Sequence, residues 1–323
     1  MDIEQLRLRR EERRRTIKRR RRVAVGLLAA AAAIVVAVVL LASGSIGSAS
    51  KHRLSARVTP ARTPAGQHAS TPAGSSTASS IVGPPGTDPV PILMYHVIAA
   101  PPAGAPFPGL YVEPAEFAEQ MQALKGAGWH AVTLDQVEAY WRRGAPLGAG
   151  KPIVISFDNG YNSQYTQALP VLRRMGWVAD ENLQLTGLPP SQGGLGPSQI
   201  RGLLAAGWEL DTQGISHADL ITLDAEQLRY QVAVARQTLQ QRYHVPVNWF
   251  CYPSGHYNPT VVAAVKAAGF TGSTTVVPGW THPGDDPYRL HRLRVLGGTS
   301  GEQLLELLAG SRADPPAPAS YSA

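Results

Sequence analysis

The stretch Ile153-Val154-Ile155-Ser156-Phe157-Asp158-Asn159-Gly160 passes from a β-rich run directly into three residues that favour turns. β-branched and aromatic side chains dominate its first half, as is typical of a strand. The last three residues then place two polar side chains where that strand ends. An Asp-Asn-Gly ending is by itself most often a simple turn, so its meaning depends on what lies around it.

Similar short β-rich runs recur on both sides of this stretch and alternate with amphipathic helical segments. The predicted strands are 92–97, 131–134, 153–157, 183–185, 208–212, 249–252, 272–276 and 290–295. The predicted helices are 114–125, 135–143, 163–175, 198–206, 225–243 and 259–268. This alternation predicts an α/β fold with a parallel sheet that is closed, or nearly closed, into a barrel.

The predicted domain, 91–311, is preceded by a segment with the character of a membrane span. Residues 23–41 are 19 consecutive residues without a charged or strongly polar side chain, about the length that crosses a ~30 Å hydrocarbon core as a helix. A cleaved signal peptide is the alternative, although its apolar core is usually shorter, about 7 to 15 residues. The basic segment 1–22 predicts a cytoplasmic N-terminus and a domain outside the membrane. We therefore expect a single-pass membrane protein.

Two further segments have compositions that disfavour folding. Residues 42–90 form a linker rich in Ser, Ala, Gly, Thr and Pro, and 312–323 form a tail rich in Pro and Ala. Because neither contains enough large apolar side chains to offset the entropy lost on ordering, both are predicted to be disordered.

The charge of the chain argues against a nucleic-acid partner. The first 22 residues hold 11 Lys and Arg and 4 Asp and Glu, so they alone account for the net charge of +7. The balanced remainder has no excess positive charge with which to neutralise a phosphate backbone. The single cysteine, Cys251, excludes an intrachain disulfide and any multi-cysteine metal site. Nothing in the sequence fixes the oligomeric state.

Polar residues follow several predicted strands, at the end where barrel active sites are built. His96 ends the first strand, Asp158 and Asn159 end the third, and Gln213 and His217 follow the fifth. Each ending is weak evidence alone, but their order and spacing together are far more specific.

The order and spacing resemble those of the polysaccharide deacetylases, a carbohydrate esterase family with a NodB-homology domain. Residues 156–160 are similar to its Thr-Phe-Asp-Asp-Gly motif, 209–220 to its His-Thr-x-x-His segment and 250–258 to its Tyr-Pro-x-Gly-x-Tyr-Asn loop. The resemblance covers roughly 91–296. It implies a distorted (β/α) barrel whose family reaction is metal-dependent hydrolysis of N-acetyl groups on N-acetylated polysaccharide or peptidoglycan.

The resemblance also implies a role for individual positions. In that family a divalent metal, usually zinc, is held by one Asp and two His, and a water in the open position attacks the acetyl carbonyl. Asp158 would be the general base, and His96 would donate a proton to the leaving amine. The backbone N–H of Ser254 would face the developing oxyanion. The metal ligands would fall on positions 159, 213 and 217.

This sequence departs from the family at the metal. Position 159 is Asn rather than Asp and position 213 is Gln rather than His, so only His217 remains of the three expected ligands. A neutral amide oxygen is a poor zinc ligand beside imidazole or carboxylate. The alternative is that Asn159 and Gln213 hydrogen-bond within the pocket in place of a metal, in which case no cofactor is expected.

Two functional hypotheses follow. The first is a membrane-anchored polysaccharide N-deacetylase, a hydrolase of carbon–nitrogen bonds other than peptide bonds, with weakened metal use. The second is a non-catalytic glycan-binding or scaffolding relative that keeps the groove, with Trp280 and Tyr257 as sugar-stacking aromatics. Metal content and acetate release separate the two.

Overall fold

The computed structural model describes residues 83–186, 188, 193–312 and 316–322. The predicted basic segment 1–22, the predicted membrane span 23–41 and most of the linker 42–90 lie outside these residues. Within the described ranges, no helix combines the length and the apolar character that crossing a membrane requires.

The elements alternate along the chain as the sequence predicts. The strands are β1 Ile92–Tyr95, β2 Val97–Ile98, β3 Tyr111–Val112, β4 Trp129–Val132, β5 Lys151–Asn159, β6 Asp180–Leu183, β7 Glu209–Thr212, β8 Trp249–Cys251, β9 Gly272–Thr274 and β10 Leu293–Arg294. The helices are α1 Pro114–Gly126, α2 Leu134–Arg143, α3 Gln164–Ala168 and Leu169–Met175, α4 Pro197–Ala205, α5 Ala225–Arg229, Tyr230–Val234 and Ala235–Tyr243, α6 Pro259–Ala267, and α7 Gly301–Gly310. The first part of α3 and the middle part of α5 are π-helical.

Every predicted strand and helix overlaps an observed one, whereas the short strand β3 and the helix α7 were not predicted. Helix α7 begins after Ser300, whose side chain accepts from the Gln303 backbone N–H while Gln303 reaches back to the Ser300 N–H. This reciprocal cap is visible in the sequence as Ser-x-x-Gln, so the helix was predictable.

The main sheet is parallel and curled. Its order is β10-β1-β5-β6-β7-β8-β9, with β4 pairing with β5. Just before β10, Leu290 pairs in parallel with Thr274 of β9, and β10 itself pairs with β1. The segment leading into β10 therefore connects the two edges of the sheet, and the prediction of a parallel, barrel-like sheet is confirmed.

The alternation of side chains along β5 decides which residues face the barrel interior. Phe157 packs outward, stacked on Trp208 at 5.1 Å and tilted against Phe117 of α1 at 5.9 Å. Because successive side chains of a strand point to opposite faces, Ser156 and Asp158 point inward, and both accept hydrogen bonds from Arg292. The motif Ser-Phe-Asp thus delivers one carboxylate to the inside of the barrel.

Candidate active site at the carboxyl ends of the strands

Asp158 is held by side chains from three other strands or their extensions. The Arg292 guanidinium donates to its two oxygens at 2.7 and 2.9 Å. The Asn182 amide donates to Oδ1 at 2.9 Å, and Cys251 Sγ lies 3.5 Å from Oδ2. Asp158 and Arg292 are each 1% exposed. This is a fully desolvated, bidentate ion pair, the geometry in which arginine binds carboxylates most strongly.

The ion pair keeps Asp158 charged. Burial alone would raise the pKa of its carboxyl group, but the charge and hydrogen bonds of Arg292, with His96 and Asn182, lower that pKa to about 2. Asp158 is therefore an anion at neutral pH and accepts a proton only weakly. Burial raises the pKa of the Cys251 thiol to about 12, so this cysteine is a protonated core residue and not a nucleophile.

His96, the predicted proton donor, lies beside Asp158. Its Nε2 is 3.8 Å from Asp158 Oδ2, and its side chain is 12% exposed. Burial lowers the pKa of His96 to about 4; the charge of Asp158 opposes this shift and that of Arg292 adds to it. The imidazole is therefore neutral at pH 7 in the free protein, and it needs a change of environment on substrate binding before it can act as an imidazolium acid.

This lowered pKa makes stability depend on pH. The pKa of His96 in the folded protein lies below the usual value of about 6.5. The contribution of neutral His96 to the free energy of unfolding is therefore fully present above pH 6.5 and is lost as pH falls toward 4. Between pH 7 and pH 4, we expect the free energy of unfolding of wild type to fall by on the order of 2–3 kcal/mol more than that of His96→Asn. Urea unfolding at several pH values measures this difference, with the exposed His244→Asn as the matched control. Parallel curves for wild type and His96→Asn would contradict the assignment.

Of the two predicted metal positions that carry amides, Asn159 makes a side-chain hydrogen bond, whereas the oxygen of Gln213 makes none among the described residues. The Asn159 amide donates to Gln184 Oε1 at 3.1 Å. Gln213 is 2% exposed, and its Oε1 has no hydrogen-bond partner among the described residues. His217 is half-buried, and burial lowers its pKa although Asp158 opposes the shift. Asn159 and His217 both adopt left-handed backbone conformations, with φ of 79° and 53°.

This donor set does not fit zinc. It offers one imidazole and two neutral amides, while the nearby carboxylate of Asp158 is already engaged by Arg292. Among the described residues, only Asp180, Glu209 and Asp211 form a group of three His, Cys, Asp or Glu with ligand atoms within 4.8 Å of one another. Asp180 and Glu209 begin their strands, so this group lies toward the other end of the sheet.

Two glutamines on the π-helical turns position the loops around the site. Gln164 Nε2 donates to the carbonyl oxygens of His96 and Asp158, each at 2.8 Å. Gln231 Oε1 accepts from the backbone N–H groups of Ile215 and Ser216, at 3.1 and 3.0 Å, in the loop that carries His217. Both π turns thus serve the site, a frequent use of this irregularity.

Ser254, the predicted oxyanion residue, lies in the turn after β8. It is exposed and has a left-handed φ of 56°. β8 ends at Cys251, which contacts Asp158, so the turn follows a strand that reaches the site. Its role in stabilising an oxyanion stays a prediction.

The prediction that Trp280 and Tyr257 stack on sugars is wrong. Trp280 is 6% exposed, and its indole Nε1 donates to the Leu308 carbonyl oxygen at 3.0 Å. Tyr257 is 1% exposed and stacks between Tyr252 and Tyr321. Both side chains are therefore packed inside the protein and cannot offer a face to a ligand.

Arg292 and Asn182 were not among the residues that the sequence predicted for the site. An arginine inside the predicted strand 290–295 was the available indication, because a charged residue in a buried run needs a partner. Asn182 falls in a polar Asp-Glu-Asn run that lies just before the predicted start of its strand at 183.

Comparisons with known proteins agree with this fold. Residues 148–273 match the model of the polysaccharide deacetylase family. A Bacillus subtilis protein assigned as the polysaccharide deacetylase YxkH is 27% identical over 212 residues, which are 66% of this chain and 73% of that protein. The poly-β-1,6-N-acetyl-D-glucosamine N-deacetylase of Escherichia coli is 38% identical over 61 residues, which are 19% of this chain and 9% of that protein.

A solved structure extends the likeness to the whole domain. The Streptococcus pyogenes deacetylase PplD, in complex with acetate, superposes with a TM-score of 0.62 at 25% identity, covering 69% of this chain and 98% of that chain. The sequence motifs and the curled parallel sheet thus agree, and residues 148–273 of this chain match the polysaccharide deacetylase family.

Proposed function

We propose that this domain binds N-acetylated polysaccharide at the carboxyl ends of its strands and hydrolyses the N-acetyl groups far more slowly than a homologue with complete metal ligands. The observation that carries the proposal is the hydrogen bond from the Asn159 amide to Gln184, at a position where a metal-binding carboxylate is expected. The Escherichia coli relative, named as a deacetylase of an N-acetylglucosamine polymer, supports the substrate class.

The residues present allow the reaction but assist it weakly. Hydrolysis requires a water oxygen to bond to the acetyl carbon, the carbon–nitrogen bond to break and the water's proton to reach the leaving amine. Asp158 can orient that water, but with a pKa of about 2 it is a poor base. His96 with a pKa of about 4 is neutral and holds no extra proton to deliver.

The location of this activity follows from the N-terminal sequence. We propose a single-pass membrane protein whose domain faces away from the cytoplasm, because 19 apolar residues at 23–41 follow a strongly basic segment. In that arrangement the accessible N-acetylated glycans are cell-wall or extracellular ones.

A non-catalytic glycan-binding protein is the second candidate. The buried Gln213 Oε1, which has no partner among residues 83–186, 188, 193–312 and 316–322, favours it, because a neutral amide here can bond a water or a sugar hydroxyl without a cation. This candidate predicts binding with no acetate release at any metal concentration.

The test is an acetate-release assay on an N-acetylated oligosaccharide, with binding measured separately by calorimetry. We expect slow release by wild type, background release by Asp158→Ala, and unchanged release by Glu226→Ala, which removes an exposed carboxylate of α5. Circular dichroism establishes that each variant is folded. Release that survives Asp158→Ala would contradict the catalytic proposal, and absence of glycan binding by wild type would contradict both candidates.

A further inference from the structure

Three buried carboxylates, Asp180, Glu209 and Asp211, form a second acidic centre inside the barrel, here called the floor cluster. Asp180 pairs in register with Glu209, and Asn182 with Asp211, so all of these side chains point to one face of the sheet. Asn182 contacts Asp158 on that face, which places the floor cluster in the interior beneath the active site. Asp180 and Asp211 are each 0% exposed.

Each carboxylate of the floor cluster uses one oxygen and leaves the other without a partner. The bonded oxygens accept from backbone N–H groups: Leu134 to Asp180 Oδ2 at 3.1 Å, Asp135 to Glu209 Oε2 at 3.0 Å, and Trp249 to Asp211 Oδ1 at 2.9 Å. The remaining oxygens, Asp180 Oδ1, Glu209 Oε1 and Asp211 Oδ2, are buried and have no hydrogen-bond partner among the described residues. A buried oxygen without a hydrogen-bond partner is costly, so we expect a proton or a bound cation in the space that the three oxygens share.

Capping of α2 does not account for the cluster. Asp180 and Glu209 each cap that helix with one oxygen. Asp211 instead accepts from the Trp249 backbone N–H on β8 and, within the described ranges, makes no hydrogen bond to the helix. The N-terminus of a helix carries about half a positive charge, which cannot balance three carboxylates.

The floor cluster also lacks a cationic side chain. Within the described ranges, none of its members has a Lys, Arg or His nitrogen within 4.0 Å. A fourth carboxylate, Asp135, lies next to it and accepts from Asn248 Nδ2 and Trp249 Nε1, at 2.8 and 3.0 Å. Buried charges that have no partner must be neutralised by protons or by a bound cation.

We propose that the floor cluster binds one hard divalent cation of the Ca²⁺ or Mg²⁺ class. Carboxylate oxygens are the ligands that these ions prefer, and the cluster contains no imidazole or thiol that would favour zinc. Ligand atoms of all three residues lie within 4.8 Å of one another, which is about the span of two oxygens on opposite sides of a Ca²⁺ ion at ~2.4 Å. The ion ties the starts of β6 and β7 to α2 and β8.

The experiment uses the full chain in detergent micelles, stripped with chelator and titrated with Ca²⁺, Mg²⁺, Mn²⁺ or Zn²⁺ at pH 7.5. We expect one equivalent of Ca²⁺ or Mg²⁺ to bind, and the unfolding midpoint to rise by roughly 5–10 °C at about 100 times the dissociation constant. In Asp180→Asn/Asp211→Asn we expect binding to weaken at least about 10-fold and the midpoint to become insensitive to these ions.

The controls separate this site from the active site and from misfolding. His217→Ala should keep the full response, because His217 lies at the other end of the strands, and Glu226→Gln controls for loss of a carboxylate. The amide variants lose repulsion between carboxylates, so their midpoints should equal or exceed that of chelated wild type. Failure of wild type to bind Ca²⁺ or Mg²⁺ at millimolar concentration, including the case in which only Zn²⁺ binds, would overturn the proposal. Binding that survives Asp180→Asn/Asp211→Asn would overturn it as well.

Discussion

Asn159→Asp combined with Gln213→His is expected to raise acetate release by about two orders of magnitude or more when Zn²⁺ is supplied. The two substitutions, with His217, restore the one-Asp, two-His donor set of the family. A bound zinc lowers the pKa of its water from ~9 in solution to ~7, which increases the hydroxide fraction at neutral pH about 100-fold. Metal content and the initial rate of acetate release measure the effect.

The local structure should accept both substitutions. Asn159 has φ of 79°, a conformation that Asp tolerates better than most residues, so the backbone need not change. Replacing its amide removes the donor to Gln184, whose side chain can rotate to present its own NH₂ group. Gln213 Oε1 has no hydrogen-bond partner to lose within the part of the chain that the structure describes.

The single variants provide the controls for this gain. Each of them restores only one ligand, so we expect each to bind zinc weakly and to release acetate near the wild-type rate. Adding Asp158→Ala to the double variant should abolish the gain without removing the metal. Stoichiometric zinc in the double variant without faster release would show that positions 159, 213 and 217 do not form a catalytic site with Asp158.

The sequence was sufficient to predict that His96 and Asp158 lie at the same edge of the sheet. A β-rich run followed by a helical run predicts parallel strands, and the carboxyl ends of adjacent parallel strands lie together. β1 and β5 are paired through Tyr95 and Phe157, so the residues that follow each, His96 and Asp158, become neighbours. The local pattern therefore predicts the edge at which the site lies, and the observed pairing of β1 with β5 makes the two residues neighbours.

The partners of these residues were not predictable in the same way. Arg292 and Asp158 are 134 residues apart in the chain, and no local pattern shows which arginine forms an ion pair with which carboxylate. The acidic residue Asp180 was missed for a related reason, because a buried carboxylate at the start of a strand reads as a loop residue. Burial of Trp280 depends on α7, whose Leu308 carbonyl bonds its indole, so missing the helix led to the wrong role for the aromatic.

Arg292→Met is expected to destabilise the domain by about 3–5 kcal/mol, because it leaves Asp158 as a buried anion without its counter-charge. The arginine is 1% exposed and donates to both carboxylate oxygens, to Ser156 Oγ and, at 3.2 Å, to Cys251 Sγ. Methionine fills similar apolar volume and replaces none of these bonds. The loss corresponds to a fall of roughly 6–20 °C in the unfolding midpoint, measured by circular dichroism on the full chain.

A second arginine of the same segment provides the matched control. Arg289 pairs with Asp286 at 3.0 Å, but the two side chains are 27% and 29% exposed, so Arg289→Met should cost no more than about 1 kcal/mol. Adding Asp158→Asn to Arg292→Met should recover much of the lost stability, since a neutral amide next to Asn182 carries no uncompensated charge. If Arg292→Met lowers the free energy of unfolding no more than Arg289→Met does, the ion pair does not hold Asp158 in its charged, buried position. The low pKa derived for Asp158 would then be wrong as well.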